Sequence, residues 1–311
     1  MNKPRISVVL PVFNGDDFIG EALASLLAQG EGVEIVVSDD CSTDRTVEIV
    51  RPFTRTGQVK LLLNERNGGQ FVNFNRALRA ATGEVIQFFS HDDLAGAGFL
   101  DDQLAALNRA PGVGLVYASC NVIDPNGALL IVLDDDGTPE IIDLPAYLSI
   151  SSKHGSLPPS VSCVMIARQV LDKAGPFDER FEVAGDLEFY NRVAENYLLA
   201  RNRHLRLDVR VHRGSVTARS NTPLKFIKEE LLLLPFYERH LGPEGYAEML
   251  KWRARHRGKD HARHLLHLAL RLKLKSCWSG CSDLSKVHSI PECMFYAMKD
   301  HFSQMFALRH A

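Results

Sequence analysis

Two pairs of adjacent aspartates, Asp39-Asp40 and Asp92-Asp93, each follow a short run of apolar, strand-forming residues. Like charges held side by side repel and raise one another's pKa unless a cation or hydrogen-bond donors compensate. At Asp92-Asp93, oxygen ligands at a strand end suit Mg²⁺ or Mn²⁺, ions that keep several waters and share phosphate oxygens with a substrate. Taken alone, that pair reads as the acidic start of a helix, and Asp39-Asp40, with Ser42 and Thr43 beside it, reads as a helix cap. Their combination on one rim changes the reading: one pair meets the hydroxyls and base edge of a nucleotide while the other holds a metal on its diphosphate.

The elements that must build such a rim can be read from periodicity. Residues 6–10, 34–37, 59–63, 85–89 and 114–117 are strand candidates, alternating with helix-period segments at 17–29, 44–50, 70–81 and 97–108. Thr43 and Gly83 serve as start and stop signals. This alternation predicts an α/β fold, a parallel sheet covered by helices with right-handed crossovers. Ligands of such sheets bind where the strands end. The first strand exits into Pro11-Val12-Phe13-Asn14-Gly15, the second into Ser38-Asp39-Asp40-Cys41-Ser42, and the fourth into Ser90-His91-Asp92-Asp93.

After residue 120 the rhythm changes, with turns at 124–127 and 134–137, a further strand at 160–167, a helix carrying Gly185-Asp186-Leu187-Glu188-Phe189, and an end near Val209-Arg210-Val211-His212. From 222 leucine-rich helical patterning takes over. The expected domains are therefore 1–221 and a helical C-terminal region, 222–311.

Composition narrows the class. With 45% hydrophobic and 24% charged residues, the 311-residue chain reads as globular. A net charge of −2 does not suit a protein built to coat nucleic acid. The N-terminal apolar run is too short for a signal, and no stretch reaches the ~18 apolar residues of a membrane span, so a cytoplasmic protein is expected. Six irregularly spaced cysteines predict reduced thiols. Cys277, Cys281, Cys293 and His288 lack the short cysteine pairs of a structural zinc site. The absence of G-x-G-x-x-G after the first strand argues against a dinucleotide oxidoreductase, and the absence of a glycine- and basic-rich triphosphate loop against a nucleotidyltransferase.

The series PVFNG, EIVVSDDCSTDRTVEIV and NERNGGQFVNFNRALRAATGEVIQFFSHDD, in that order over about 90 residues, resembles the family 2 inverting glycosyltransferases of the GT-A fold, a Rossmann-like, mainly parallel mixed sheet flanked by helices. GPFDERF, AGDLEFYNRV and VRVHRGSV extend the resemblance to about residue 220. It implies a nucleotide-diphosphate sugar donor, with UDP-sugar favoured. Asp39 and Asp40 would lie near base and ribose, Pro11, Phe13 and Asn14 would form the turn beneath the nucleotide, and Asn67-Gly68-Gly69 a backbone-close loop near the base.

The resemblance also implies a divalent cation, Mn²⁺ or Mg²⁺, with Asp93 as direct ligand, Asp92 as a ribose or indirect contact, and His212 as a metal or diphosphate contact. Many members carry a further Asp where this chain has Ser90. The family's base lies in an acidic pair at a helix start. Gly185-Asp186 falls on that motif with only its second acid, which makes Asp186 the expected base and Glu188 and Glu182 its competitors. The departure at Gly185 keeps a catalytically silent nucleotide-sugar binding module as the alternative.

The expected acceptor is a glycan, a lipid-linked intermediate or a protein, within bacterial surface polysaccharide synthesis. Residues 251–275 hold nine Lys or Arg against one acid, with Leu265, Leu268 and Leu272 on one helical face and His264, His267, Arg271 and Lys275 on another. That segment reads either as a solvated helix face or as a contact with the inner membrane surface. The stripe Met294, Phe295, Met298, Phe302, Met305 and Phe306 reads as a face packed on the body or on a twin subunit.

Overall fold

A computed structural model describes residues 5–134, 137–215, 222–258, 274–287 and 293. The chain divides into one compact unit of residues 1–147 and 156–213 and a second of 148–155 and 214–311.

The first unit is built on strands rich in apolar and β-branched residues and buried on both faces, the signature of a covered parallel sheet. They are β1 (Ile6–Val12), β2 (Val33–Asp39), β4 (Val85–Phe88) and β6 (Val113–Ala118), with β3 (Val59–Leu63) as a partly exposed edge strand. Helices α1 (Ile19–Leu27), α2 (Thr46–Val50), α3 (Gln70–Ala80) and α4 (Phe99–Leu107) alternate with them. The eight-stranded sheet runs β3-β2-β1-β4-β10-β6-β11-β9, where β9 is Ile141–Ile142, β10 Val164–Ala167 and β11 Leu198–Asn202.

Strand β10 is antiparallel to both β4 and β6 and separates them. It is shorter than the 160–167 run expected. Ser160 caps a 3-10 turn at Val161–Cys163 by accepting a hydrogen bond from the Ser162 N–H, so the strand begins only at Val164. A second sheet, β5-β12-β7-β8, joins Leu94–Ala95, Leu207–Arg210, Cys120–Ile123 and Leu129–Leu133. Two-residue β5 is too short to register as a period, yet it begins directly after Asp93, and β12 ends two residues before His212.

An aromatic cluster sets the position of the helix that carries Asp186, α7 (Gly185–Ala194). The Phe177 ring lies 5.3 Å from Phe71 and Phe74 on α3, 5.1 Å from Phe88 on β4 and 4.8 Å from Phe189 on α7. Asn75 fixes the Phe177 backbone reciprocally, its amide donating to the carbonyl and its Oδ1 accepting from the N–H, each at 2.9 Å.

In the second unit, α8 (Thr222–Arg253) is interrupted at Gly242, whose φ of 66° breaks the helix ahead of Pro243, and α9 spans Leu274–Val287. Ile227 and Leu284 form its buried contact. Arg253, fully buried, lies 3.1 Å from Glu230, donates to the carbonyls of Ser151 and Ser152, and stacks over Tyr237. Residues 259–273 and 294–311 lie outside the described residues, so the leucine and basic faces of 251–275 and the methionine-phenylalanine stripe do too, as does His288 of the cysteine-histidine set. Among the described residues no helix is long and apolar enough to cross a membrane.

Candidate active site

The rim forms where β1, β2 and β4 end. Strand β1 runs through Pro11, which pairs in register with Ser38, so the turn expected from Pro11 begins only at Phe13. Pro11 is tolerated because β4 stops pairing with β1 at Val9, and its missing N–H falls beyond that ladder. Phe13 is 37% exposed. Asn14 takes a left-handed φ of 51° and locks the first loop to the second: its N–H donates to Ser42 Oγ at 2.9 Å, and its Oδ1 accepts from the Thr43 N–H at 2.8 Å. The next residue must be glycine, since a Cβ at Gly15 would meet the His91 ring at 2.3 Å.

Asp39 and Asp40 are both buried but differ in their partners. Asp39 Oδ1 accepts from the Ser42 N–H at 3.0 Å, whereas Oδ2 is buried without a partner. Both oxygens of Asp40 are engaged, by Asn64 Nδ2 at 2.8 Å and by the N–H groups of Gly68 and Gly69 at 2.9–3.1 Å. The structure thus turns Asp40 into the clamp of the 67–69 loop and leaves the unmet carboxylate oxygen to Asp39. Gly69 holds φ 91° at the start of α3, and Asn67 is exposed beside it. Asn64 and Asn73 complete the clamp: Asn64 Nδ2 also donates to Asn73 Oδ1, while Asn73 Nδ2 donates to the Ser38 carbonyl at 2.7 Å. These two asparagines were not singled out in the sequence, because buried amides carry no motif.

The second acidic pair also splits. His212, on the far side of the chain from Asp92 in sequence, places Nε2 2.9 Å from Asp92 Oδ2, and its ring packs 4.9 Å from Phe18. Asp93, expected as the direct metal ligand, turns inward: its Oδ1 accepts from the Arg210 N–H at 2.9 Å. Burial, and then the neighbouring Asp92 charge, push its carboxyl well above the usual range. The side chain that meets the imidazole is Asp92's. Burial likewise lowers the pKa of His91, which favours its neutral form.

Arg210 gathers these parts and was missed in the sequence, where it reads as an ordinary strand cation. It is 5% exposed, donates to the Asp92 carbonyl at 3.0 Å, to the Pro125 carbonyl at 2.7 Å and to Glu21 at 2.9 Å, and lies over the Phe18 ring. A buried guanidinium needs that many acceptors.

The donor set suits a divalent ion. His212 Nε2 and Asp92 Oδ2, 2.9 Å apart as a hydrogen-bonded pair, offer an imidazole nitrogen and a carboxylate oxygen, donor types that could hold a divalent ion. Among the described residues no group of three or more His, Cys, Asp or Glu side chains is placed to hold a metal, so phosphate oxygens and water would complete the coordination.

Asp186 lies in the first turn of α7, half-buried, with Oδ1 accepting from the Leu187 N–H at 2.8 Å. A Cβ at Gly185 would meet the Phe71 ring at 2.7–2.9 Å. The glycine at that position is therefore a packing requirement of this chain's Phe71, and the contact places the start of α7 beside the start of α3, two residues after Gly69. Glu188 is held by Arg192 through two hydrogen bonds of 2.7 Å, which a general base would have to break. Glu182 is exposed.

The sheet order is that of a GT-A fold, and solved structures agree on the fold. The chain is similar to Staphylococcus aureus TarS 1–349 in complex with UDP-GlcNAc, with TM-score 0.64, 23% identity, and coverage of 80% of this chain and 70% of that one. It is similar also to the mannosyltransferase PcManGT of Pyrobaculum calidifontis in complex with GDP-Man and Mn²⁺, with TM-score 0.55, 21% identity, and coverage of 98% and 81%. In sequence, a glycosyltransferase of Rickettsia typhi is 27% identical over 233 residues, 73% of this chain and 69% of the relative. Poly(ribitol-phosphate) β-N-acetylglucosaminyltransferase TarS is 36% identical over 109 residues, 34% of this chain and 19% of the relative. Residues 7–129 match the model of glycosyl transferase family 2. Residues 7–129 are thus a glycosyl transferase family 2 domain, and its presence supports a glycosyltransferase.

Proposed function

We propose that the chain transfers a sugar, with inversion, from a UDP-sugar to a hydroxyl of a glycan, lipid-linked or protein acceptor in bacterial surface polysaccharide synthesis. The observation that carries this reading is the meeting of Asp92 and His212 on the rim that also holds the partnerless oxygen of Asp39. A uridine base or ribose offers the N–H or O–H that Asp39 Oδ2 lacks; Asn14, next to Phe13, holds the Ser42–Thr43 loop that caps Asp39 Oδ1, and the neighbouring Asp40 holds the Asn67–Gly69 loop. Asp40 serves indirectly, by holding the loop. The solved neighbours' UDP-GlcNAc, and their GDP-Man with Mn²⁺, support a nucleotide-sugar donor and a cation.

A bound Mn²⁺ or Mg²⁺ supplies charge to offset the departing diphosphate; Asp92 and His212 would hold it, with Asp93 and Arg210 fixing their loop. Asp186 takes the proton of the acceptor hydroxyl as that oxygen bonds the anomeric carbon and the bond to diphosphate breaks on the opposite face. One base suffices and no covalent intermediate is formed. Residues 222–311 serve acceptor, membrane-surface or oligomer contacts.

Thermal-shift titration with UDP, GDP and their sugars, with and without Mn²⁺, tests the donor site, since a ligand of the folded state stabilises in proportion to its affinity and concentration. A shift with uridine nucleotides that grows with Mn²⁺ is expected, together with slow donor hydrolysis that Asp186→Asn abolishes. Binding without turnover in both proteins would instead favour the silent binding module, and no shift with any nucleotide would overturn the proposal.

A further inference from the structure

Strand β8 contributes no residue to the site described above. Its sequence, Leu129-Leu130-Ile131-Val132-Leu133, is apolar at five consecutive positions, so it presents apolar side chains to both faces of its sheet. All five are exposed, from 39% at Leu133 to 59% at Leu129. The strand lies at the edge of the four-stranded sheet and pairs only with β7, Cys120 opposite Leu133 and Val122 opposite Ile131. Among the described residues no strand pairs with its outer side.

An edge of this kind offers backbone donors and acceptors to another strand, and proteins ordinarily blunt it with Lys, Pro or an inward charge. No Lys, Pro or charge interrupts β8, which carries a bulge at Leu130, where Val122 pairs with Ile131 but Ile123 pairs with Leu129. Five residues at those exposures present roughly 400–500 Å² per copy, the size of patch that marks an interaction site.

We propose that β8 pairs antiparallel with β8 of a second copy of this chain, joining two four-stranded sheets into one of eight. Charge sets the register. With the two-fold axis at Ile131, Ile131 faces Ile131, Leu129 and Leu130 fall opposite Val132 and Leu133, and Asp134 falls opposite Ala128. Every apolar side chain then meets an apolar partner, and no charge meets its like. Sliding toward the C-terminus brings Asp134 of the two copies together, which is destabilising; sliding the other way opposes the 124–127 turns, where the strand does not continue. The same acidic run disfavours an anionic membrane as the occupant, since such surfaces attract basic segments.

The inference does not depend on the identity of the donor or on the base. Its test is sedimentation velocity of the full chain at micromolar concentration, with oxidative cross-linking. Wild type sediments as a dimer, and Ile131→Lys and Leu130→Lys both sediment as monomers while keeping the wild-type circular dichroism spectrum. Ile131→Cys cross-links to its own copy under air oxidation, with the linked peptide joining the two substituted positions by mass spectrometry.

A monomeric wild type overturns the proposal, as does a dimer that both lysine variants retain, or a cross-link that maps elsewhere. A monomer whose binding to phosphatidylglycerol vesicles is lost in Ile131→Lys also overturns it, and assigns the strip to lipid. If one lysine variant fails to fold, the other and the cross-link map decide.

Discussion

Where β2 begins, Glu34 is buried among donors; where β2 ends, Asp39 is buried with one oxygen unmet. Glu34 accepts from Ser7 Oγ, from Lys60 Nζ and from the Thr82 N–H at 2.8 Å, with Thr82 Oγ1 at 3.1 Å as well. Burial alone raises a carboxyl, yet those hydrogen bonds outweigh it and hold Glu34 below the usual glutamate range. Asp93, at the other end of the sheet, is buried beside a like charge and is pushed up. The same residue chemistry in the same fold thus serves two ends. A carboxylate whose lone pairs are filled from within the chain fastens the sheet, and one left short of donors fits a ligand.

The largest expected effect lies on the rim. Asp186→Asn keeps the shape and removes the base, so transfer falls by about 10²–10⁴-fold in kcat, with the unfolding midpoint and nucleotide binding unchanged. Steady-state kinetics on a fixed acceptor, beside a thermal melt, checks both. A melt that collapses with the activity would show that Asp186 belongs to the fastening class.

Next comes the opposite end. Glu34→Ala strands the Ser7 hydroxyl and the Thr82 N–H and removes the partner of Lys60, a loss of about 2–3 kcal/mol of stability, measured by urea unfolding. Turnover per folded molecule stays at the wild-type level, because nothing at this end touches the rim. Asp39→Asn should do the reverse at a smaller scale: nucleotide affinity falls by about 10-fold, the size of one charged hydrogen bond, in isothermal titration with UDP, while stability changes little. Equal destabilisation by both substitutions, with affinity intact in Asp39→Asn, would erase the distinction between the two ends.

How much of this was legible follows from what leaves a local trace. β-branched runs ending in polar loops announced the strands of the parallel core, and Val59–Leu63 was bounded to the residue. The antiparallel insertion of β10 between β4 and β6 left no signal, because strand order is a long-range property. The small sheet escaped for a different reason: β5 is two residues long and β8 lacks the alternation of a half-buried strand.

Within the site, the motifs gave residue types but not the division of labour. Asp39 and Asp40 look alike in sequence, and only the Gly68 and Gly69 amides separate them. Asp92 and Asp93 are likewise separated by the Arg210 N–H, contributed from 117 residues away. The glycine preceding Asp186 read as a departure from the acidic pair; the Phe71 ring against it supplies a packing reason.

The smallest expected effect is the pH dependence of the Glu34 contribution, and its sign is fixed. The folded pKa lies below that of the unfolded chain, where a glutamate titrates near 4.3, so the unfolded state takes up a proton first as the solution is acidified. The stabilisation is complete above the unfolded value and declines as pH falls toward and through the folded one. Wild type and Glu34→Gln, compared by urea unfolding at successive pH values, should therefore differ by a constant amount near neutrality and by progressively less below about pH 5. The glutamine accepts through one oxygen at any pH, so the variant shows none of that slope from this position. A gap between the two proteins that widened in acid would mean that Glu34 is held protonated in the fold, and its donors would then be too few to set it apart from the carboxylates of the rim.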